Sequence, residues 1–97
     1  MIIKQAYSVV LKEAVRLRNR DLIKVLSNSN VLDKNITESV FYDCCLRKEF
    51  ENINFMLNEP NLRIRQNLSR ILNDFDKMPK VDSSLDKVLV MLEQELN

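Results

Sequence analysis

Residues 14–26 read AVRLRNRDLIKVL, and how this stretch is parsed decides the fold class. Leading into it, Ile3, Ala6, Tyr7, Val10, Leu11, Ala14, Val15 and Leu17 recur at spacings of three and four, the period of an amphipathic helix. Arg18-Asn19-Arg20 breaks that period. Asn19 is a good N-cap residue, so a second helix is expected from about Arg20, carrying Leu22, Ile23, Val25 and Leu26. It should end in Ser27-Asn28-Ser29-Asn30, whose side chains compete for backbone partners. The unit is therefore helix, short polar corner, helix.

The same grammar continues downstream. Val31-Leu32 sits in a polar loop, and Asn35-Ile36-Thr37-Glu38 has the form of a capping box with Asn35 as the cap and Thr37 as the alternative. A third helix presents Val40, Phe41, Cys44, Cys45 and Leu46. After the charged corner Arg47-Lys48-Glu49, a fourth carries Phe50, Ile53, Met56 and Leu57 and stops at Pro60. Asn61 is expected to cap a fifth helix with Leu62, Ile64, Leu68, Ile71, Leu72, Phe75 and Met78, ended by Pro79. Ser83 and Asp86 form a second capping box before a last helix with Leu85, Val88, Leu89, Leu92 and Leu96. No segment alternates at period two, so strands are not expected. The reading is an all-α single domain, residues 1–97, of about six short helices in three antiparallel pairs near 3–28, 36–59 and 61–96. The pairs form either an ankyrin-like stack or an irregular orthogonal bundle. The initiating methionine is read as the start of a complete chain.

Composition narrows the function classes. The chain has 97 residues, 45 % hydrophobic and 30 % charged, with a net charge of +1. It is too apolar for a typical disordered segment and too nearly neutral for a dedicated electrostatic nucleic-acid binder. Glycine is absent, which disfavours phosphate-cradling loops and leaves asparagine (Asn19, Asn28, Asn30, Asn35, Asn58, Asn61) to take left-handed positions. Histidine is absent too, which removes every histidine-based catalytic or metal scheme. No window approaches a membrane span, and the N-terminus is a poor signal peptide, so a reducing, cytoplasmic setting and no membrane partner are expected.

The adjacent pair Cys44-Cys45 is the obvious chemical candidate. Redox sites use C-x-x-C, and a tetrahedral metal needs more ligands than two thiolates. Lys48, four residues from Cys44, is a cation able to lower its pKa if both were exposed. The stronger reading is packing, because both cysteines share an apolar stripe with Val40 and Phe41. Asp74 with Asp76, and Glu93 with Glu95, are two apart and face different directions on a helix, so neither is an acid–base pair. No cofactor, metal site or enzymatic activity is expected.

An internal echo appears at an offset of 31: Ala14-Val15 against Cys45-Leu46, Leu22 against Ile53, Val25-Leu26 against Met56-Leu57. On these residues the chain resembles the ankyrin family over residues 10–64. The likeness lies in two small residues side by side in a first helix, a corner, a second helix ending in paired aliphatics, and a loop with one buried aliphatic (Val31, Leu62). The family's threonine-proline-leucine-histidine start is missing, and its corner glycine is replaced by Arg18 and Glu49. In the third pair Asp76 falls opposite Cys45, as an atypical end unit would allow. The resemblance implies a non-catalytic module, an adaptor or regulator, that binds a partner protein through a helical surface. The candidate contacts are Arg18, Arg20, Arg47 and Lys48 at the corners, with Tyr7 and Tyr42 as amphipathic anchors. The alternative is a nucleic-acid-binding regulator using the clusters Arg16/Arg18/Arg20 and Arg63/Arg65/Arg70. A helix-turn-helix is the weaker form of that alternative, since the usual turn glycine is missing. A homodimer through the C-terminal helix, Leu85 to Leu96, is a further expectation.

Overall fold

The computed structural model describes residues 2–77 and 84–95. Six α-helices run through them: α1 (Ile2–Arg16), α2 (Arg20–Asn28), α3 (Lys34–Leu46), α4 (Phe50–Leu57), α5 (Leu68–Lys77) and α6 (Ser84–Gln94). Short 3-10 turns at Pro60–Leu62 and Arg65–Asn67 lie between α4 and α5. There is no strand among the described residues. Successive helices touch (α1 with α2, α3 with α4, α5 with α6), while α3 also packs on α1 and α6. The radius of gyration is 13.0 Å, that of a compact chain near this length (about 13 Å for 100 residues).

The corner after α1 is built by backbone hydrogen bonds. Arg18 N–H donates to the Val15 carbonyl at 3.1 Å and Asn19 N–H to the Ala14 carbonyl at 2.8 Å. This is the Schellman arrangement, which needs a left-handed residue at its turn. Arg18 supplies it with φ 57°. Asn19 then caps α2, its Oδ1 accepting from Leu22 N–H at 3.1 Å, as the sequence leads one to expect. Thirty residues on, Lys48 N–H donates to Cys45 at 3.2 Å and Glu49 N–H to Cys44 at 3.0 Å, with Lys48 at φ 58°. The two corners therefore correspond at an offset of 30, and the offset of 31 is corrected by one residue. Ala14-Val15 stand opposite Cys44-Cys45, not Cys45-Leu46, and the glycine-type positions are Arg18 and Lys48, not Arg18 and Glu49.

Several other expectations are corrected. Asparagine takes a left-handed position only at Asn30 (φ 60°) among the described residues; Arg18, Lys48 and Arg63 take the rest. The cap of α3 is Asp33, whose Oδ1 accepts from Ile36 N–H at 2.9 Å, and not Asn35. The fifth helix does not run from Asn61. Glu59 caps a 3-10 turn begun by Pro60, Arg63 reverses the backbone at φ 57°, and α5 starts only at Leu68. Met78, Pro79, Ser83 and Leu96 lie outside the described residues.

One core joins every helix. Leu11, Val15, Ile23, Phe41, Cys45, Ile53, Met56, Leu68, Ile71, Phe75 and Leu92 are buried within it. Phe75 stacks on Phe41 (centroids 6.3 Å apart) and meets Tyr42 edge-on at 4.6 Å. Phe50, expected as an anchor of α4, is half exposed. It is the first residue of α4, and Phe55 is the aromatic that α4 buries. Val88, Leu89 and Leu92 turn α6 inward, leaving Val90 on its outer side.

Candidate functional site

The two corners lie close together because α4 runs against the first one. Arg18 reaches from its left-handed position to Asn52 Oδ1 at 2.7 Å and also donates to the Val15 carbonyl. Its guanidinium sits 5.1 Å from the Phe55 ring centroid, and that of Arg20 sits 5.2 Å from the same ring. Two cations over one ring of α4 tie α2 to α4. Arg20 also lies 3.8 Å from Glu59, a carboxylate that is only 3 % exposed. Glu59 accepts from the Asn61 backbone N–H at 3.3 Å and its amide at 3.0 Å. Arg18 and Arg20 thus both engage their own chain.

The second corner is more open. Arg47 pairs with Asp43 of its own helix at 3.3 Å, and Lys48 projects at the turn. Around these cations Leu46 and Phe50 are 41 % and 50 % exposed, and Leu17 of the first corner is 60 % exposed. A cleft of about 150 Å³ separates the corners, lined by Lys12, Arg16, Asp43, Cys44, Arg47 and Asn52 among others. Lys12 and Asp43 bridge α1 to α3 across it at 3.0 Å. This corner edge, apolar side chains interleaved with cations, is the candidate site.

Tyr7 and Tyr42 are half-buried against the core, and Tyr42 meets the Phe75 ring edge-on. The basic clusters are largely met by the protein's own acids. Arg16 bonds Glu13 at 2.8 Å, Arg65 bonds Glu95 at 3.1 Å, and Arg70 forks onto Glu38 and reaches Asp74 at 3.2 Å. Lys12, Arg16, Arg20 and Lys24 recur at every fourth residue, but α1 ends at Arg16 and α2 begins at Arg20, so they fall on two helices.

Cys44 and Cys45 are free thiols, both buried. Burial pushes the Cys44 thiol up to about 11, with Glu49 and Asp43 adding to the rise against Lys12 and Arg47. Burial pushes Cys45 up to about 12, with Cys44 adding to it. Neither is an activated thiolate near neutral pH. No group of three or more metal-ligating side chains occurs among the described residues, and no helix among them is long and apolar enough to cross a membrane.

Sequence reasoning missed Phe55 and Glu59. Phe55 is flanked by polar Asn54 and stands two residues from Ile53, on a different helical face, so periodicity did not mark it. Its burial comes from arginines 35 and 37 residues away in sequence, between Phe55 and Arg20 and Arg18. No family model, curated protein or solved structure matches this chain.

Proposed function

We propose that this protein is a small non-catalytic module that binds a partner protein across the corner edge. The helix pairs then present their corners side by side, as in an ankyrin-like stack. The observation that carries the reading is the exposure of Leu17, Leu46 and Phe50 beside Arg47 and Lys48. Exposed apolar side chains beside cations are what a protein interface desolvates. Arg47 and Lys48 are the preferred contacts. Arg18 and Arg20 hold the first corner on Phe55 and serve the edge by fixing its shape; Tyr7 and Tyr42 are flanking anchors. The cytoplasm, where free thiols persist, is the natural setting.

Binding to nucleic acid through the arginine clusters is the weaker reading, because Arg16, Arg65 and Arg70 are already paired with carboxylates. The test is an affinity pull-down from native lysate with an Arg47→Glu/Lys48→Glu variant as the control. The expected result is loss of a specific protein partner in the variant with an unchanged circular dichroism spectrum. Retention of the same partners would refute the site. Binding to duplex DNA or RNA that weakens steeply with salt would favour the nucleic-acid reading instead. Charge reversal at Arg20 is the poorer probe, since it sets a carboxylate against buried Glu59.

A further inference from the structure

Every arginine but one has a carboxylate of its own chain within reach. Arg16, Arg18, Arg20, Arg47, Arg65 and Arg70 each lie within 4.0 Å of one. Arg63 has none among the described residues. It stands at a left-handed turn, φ 57°, where glycine or asparagine would sit with less strain. It lines a cavity of about 240 Å³ formed by the end of α2, the start of α3 and the segment that leads into α5. Lys34, the first residue of α3, lines the same cavity, and it too makes no ion pair or side-chain hydrogen bond among the described residues.

Two carboxylates share the lining, and the chain already uses both. Asp33 accepts from the Ile36 N–H as the cap of α3, and Arg70 forks onto Glu38. Hydrogen bonds fix the backbone at both cations. Thr37 Oγ1 donates to the Asp33 and Lys34 carbonyls at 3.3 and 3.2 Å, and Asn67 Nδ2 donates to the Arg63 carbonyl at 2.9 Å. Ser27 Oγ reaches the Asn61 carbonyl at 3.5 Å and ties the two loops together. A ligand is thus offered two uncommitted cations on a fixed frame. We infer that this cavity binds a small phosphate, as a monoester or as the free ion. Arginine forks onto phosphate oxygens and lysine adds a second positive charge, which matches a group carrying close to two negative charges at neutral pH. The volume lies below the range of about 300–1,000 Å³ for drug-sized pockets, so the ligand is small. The corners lie at the other ends of α2 and α3, and none of the cavity's lining residues belongs to the corner edge. Either reading can therefore fail without the other.

The test is an amide NMR titration of the full chain with glycerol phosphate and with inorganic phosphate. Glycerol, and sodium chloride at matched ionic strength, are the controls. The expected result is saturable shifts of the Asn30, Lys34 and Arg63 amides at millimolar phosphate or below. Tighter binding of glycerol phosphate identifies a monoester as the ligand, and equal or tighter binding of inorganic phosphate identifies the free ion. Arg63→Asn keeps a residue suited to the left-handed turn, and Lys34→Gln keeps a good helix former. Each should weaken binding at least about tenfold, the loss expected for a charge-assisted hydrogen bond. Lys24→Gln, which removes an exposed cation of α2 outside the cavity, should leave binding unchanged. Absence of saturable shifts at millimolar phosphate overturns the inference. So do shifts that glycerol or sodium chloride reproduces, binding that survives both cavity variants, or equal weakening by Lys24→Gln.

Discussion

The corners at Leu17–Arg20 and Arg47–Phe50 share one backbone and put it to different uses. Each closes with the same pair of hydrogen bonds and one left-handed residue, Arg18 or Lys48. The first spends its side chains on the fold: Asn19 caps α2, and Arg18 and Arg20 clasp Phe55. The second leaves them out. Glu49 makes no side-chain cap bond to α4, and Leu46, Lys48 and Phe50 face solvent. A corner's path is thus set by backbone hydrogen bonding, which almost any sequence can satisfy, while its side chains remain free to serve stability or binding. The second corner forgoes stabilising contacts that the first one makes, as expected of a surface kept for a partner.

The two helix pairs differ most at Phe55 and Val25, which occupy equivalent places. Phe55→Ala should cost about 3–5 kcal/mol, the usual range for a buried phenylalanine. Val25→Ala should stay within about 0.5 kcal/mol, as for a surface change. Urea unfolding of the two variants measures the gap, and equal losses would mean that the two helix pairs do not correspond as described.

The corners themselves should respond unequally. Lys48→Gly relieves a left-handed side chain and should stabilise the protein by about 1 kcal/mol. Arg18→Gly gains the same relief but loses the bond to Asn52 and the contact with Phe55, so little or no net gain is expected. If both glycine variants stabilised alike in thermal unfolding, the clasp on Phe55 would contribute nothing.

At pH 7 the cysteines should matter little. Because Cys44 and Cys45 stand where Ala14 and Val15 stand, a Cys44→Ala/Cys45→Val variant should fold with a stability change below about 1.5 kcal/mol at pH 7, the range for conservative hydrophobic swaps. At high pH the variants should diverge. The folded thiols titrate near 11 and 12 against an ordinary value of 9.0, so the unfolded chain loses these protons first. The thiols' stabilisation is complete below pH 9 and fades as pH rises through 11 to 12. The wild type should lose more stability than the variant across that window in denaturant titrations at stepped pH. Parallel curves would place the thiols in water.

Much of this architecture is legible in the residues. The periods of α1 to α4, the cap at Asn19 and the packing role of Cys44-Cys45 follow from local chemistry alone. Asp33 and Asn35 are both good caps, and the choice between them depends on where α3 begins. Leu62, Ile64 and Leu68 mimic a helical period, yet Arg63 reverses the chain between the first two. The one-residue slip in the offset arose because side-chain size, not the hydrogen bonds of the corner, set the alignment. Phe55 and Glu59 depend on arginines from another helix, which no local pattern records.

If the corner edge binds a protein partner, its exposed apolar side chains should carry that binding. Quantitative pull-downs should compare Leu46→Glu/Phe50→Glu with Val90→Glu, which alters an equally exposed valine on α6. The partner should be lost with the corner variant and kept with Val90→Glu, both proteins remaining folded. Equal capture by the two variants, or loss only with Val90→Glu, would contradict it.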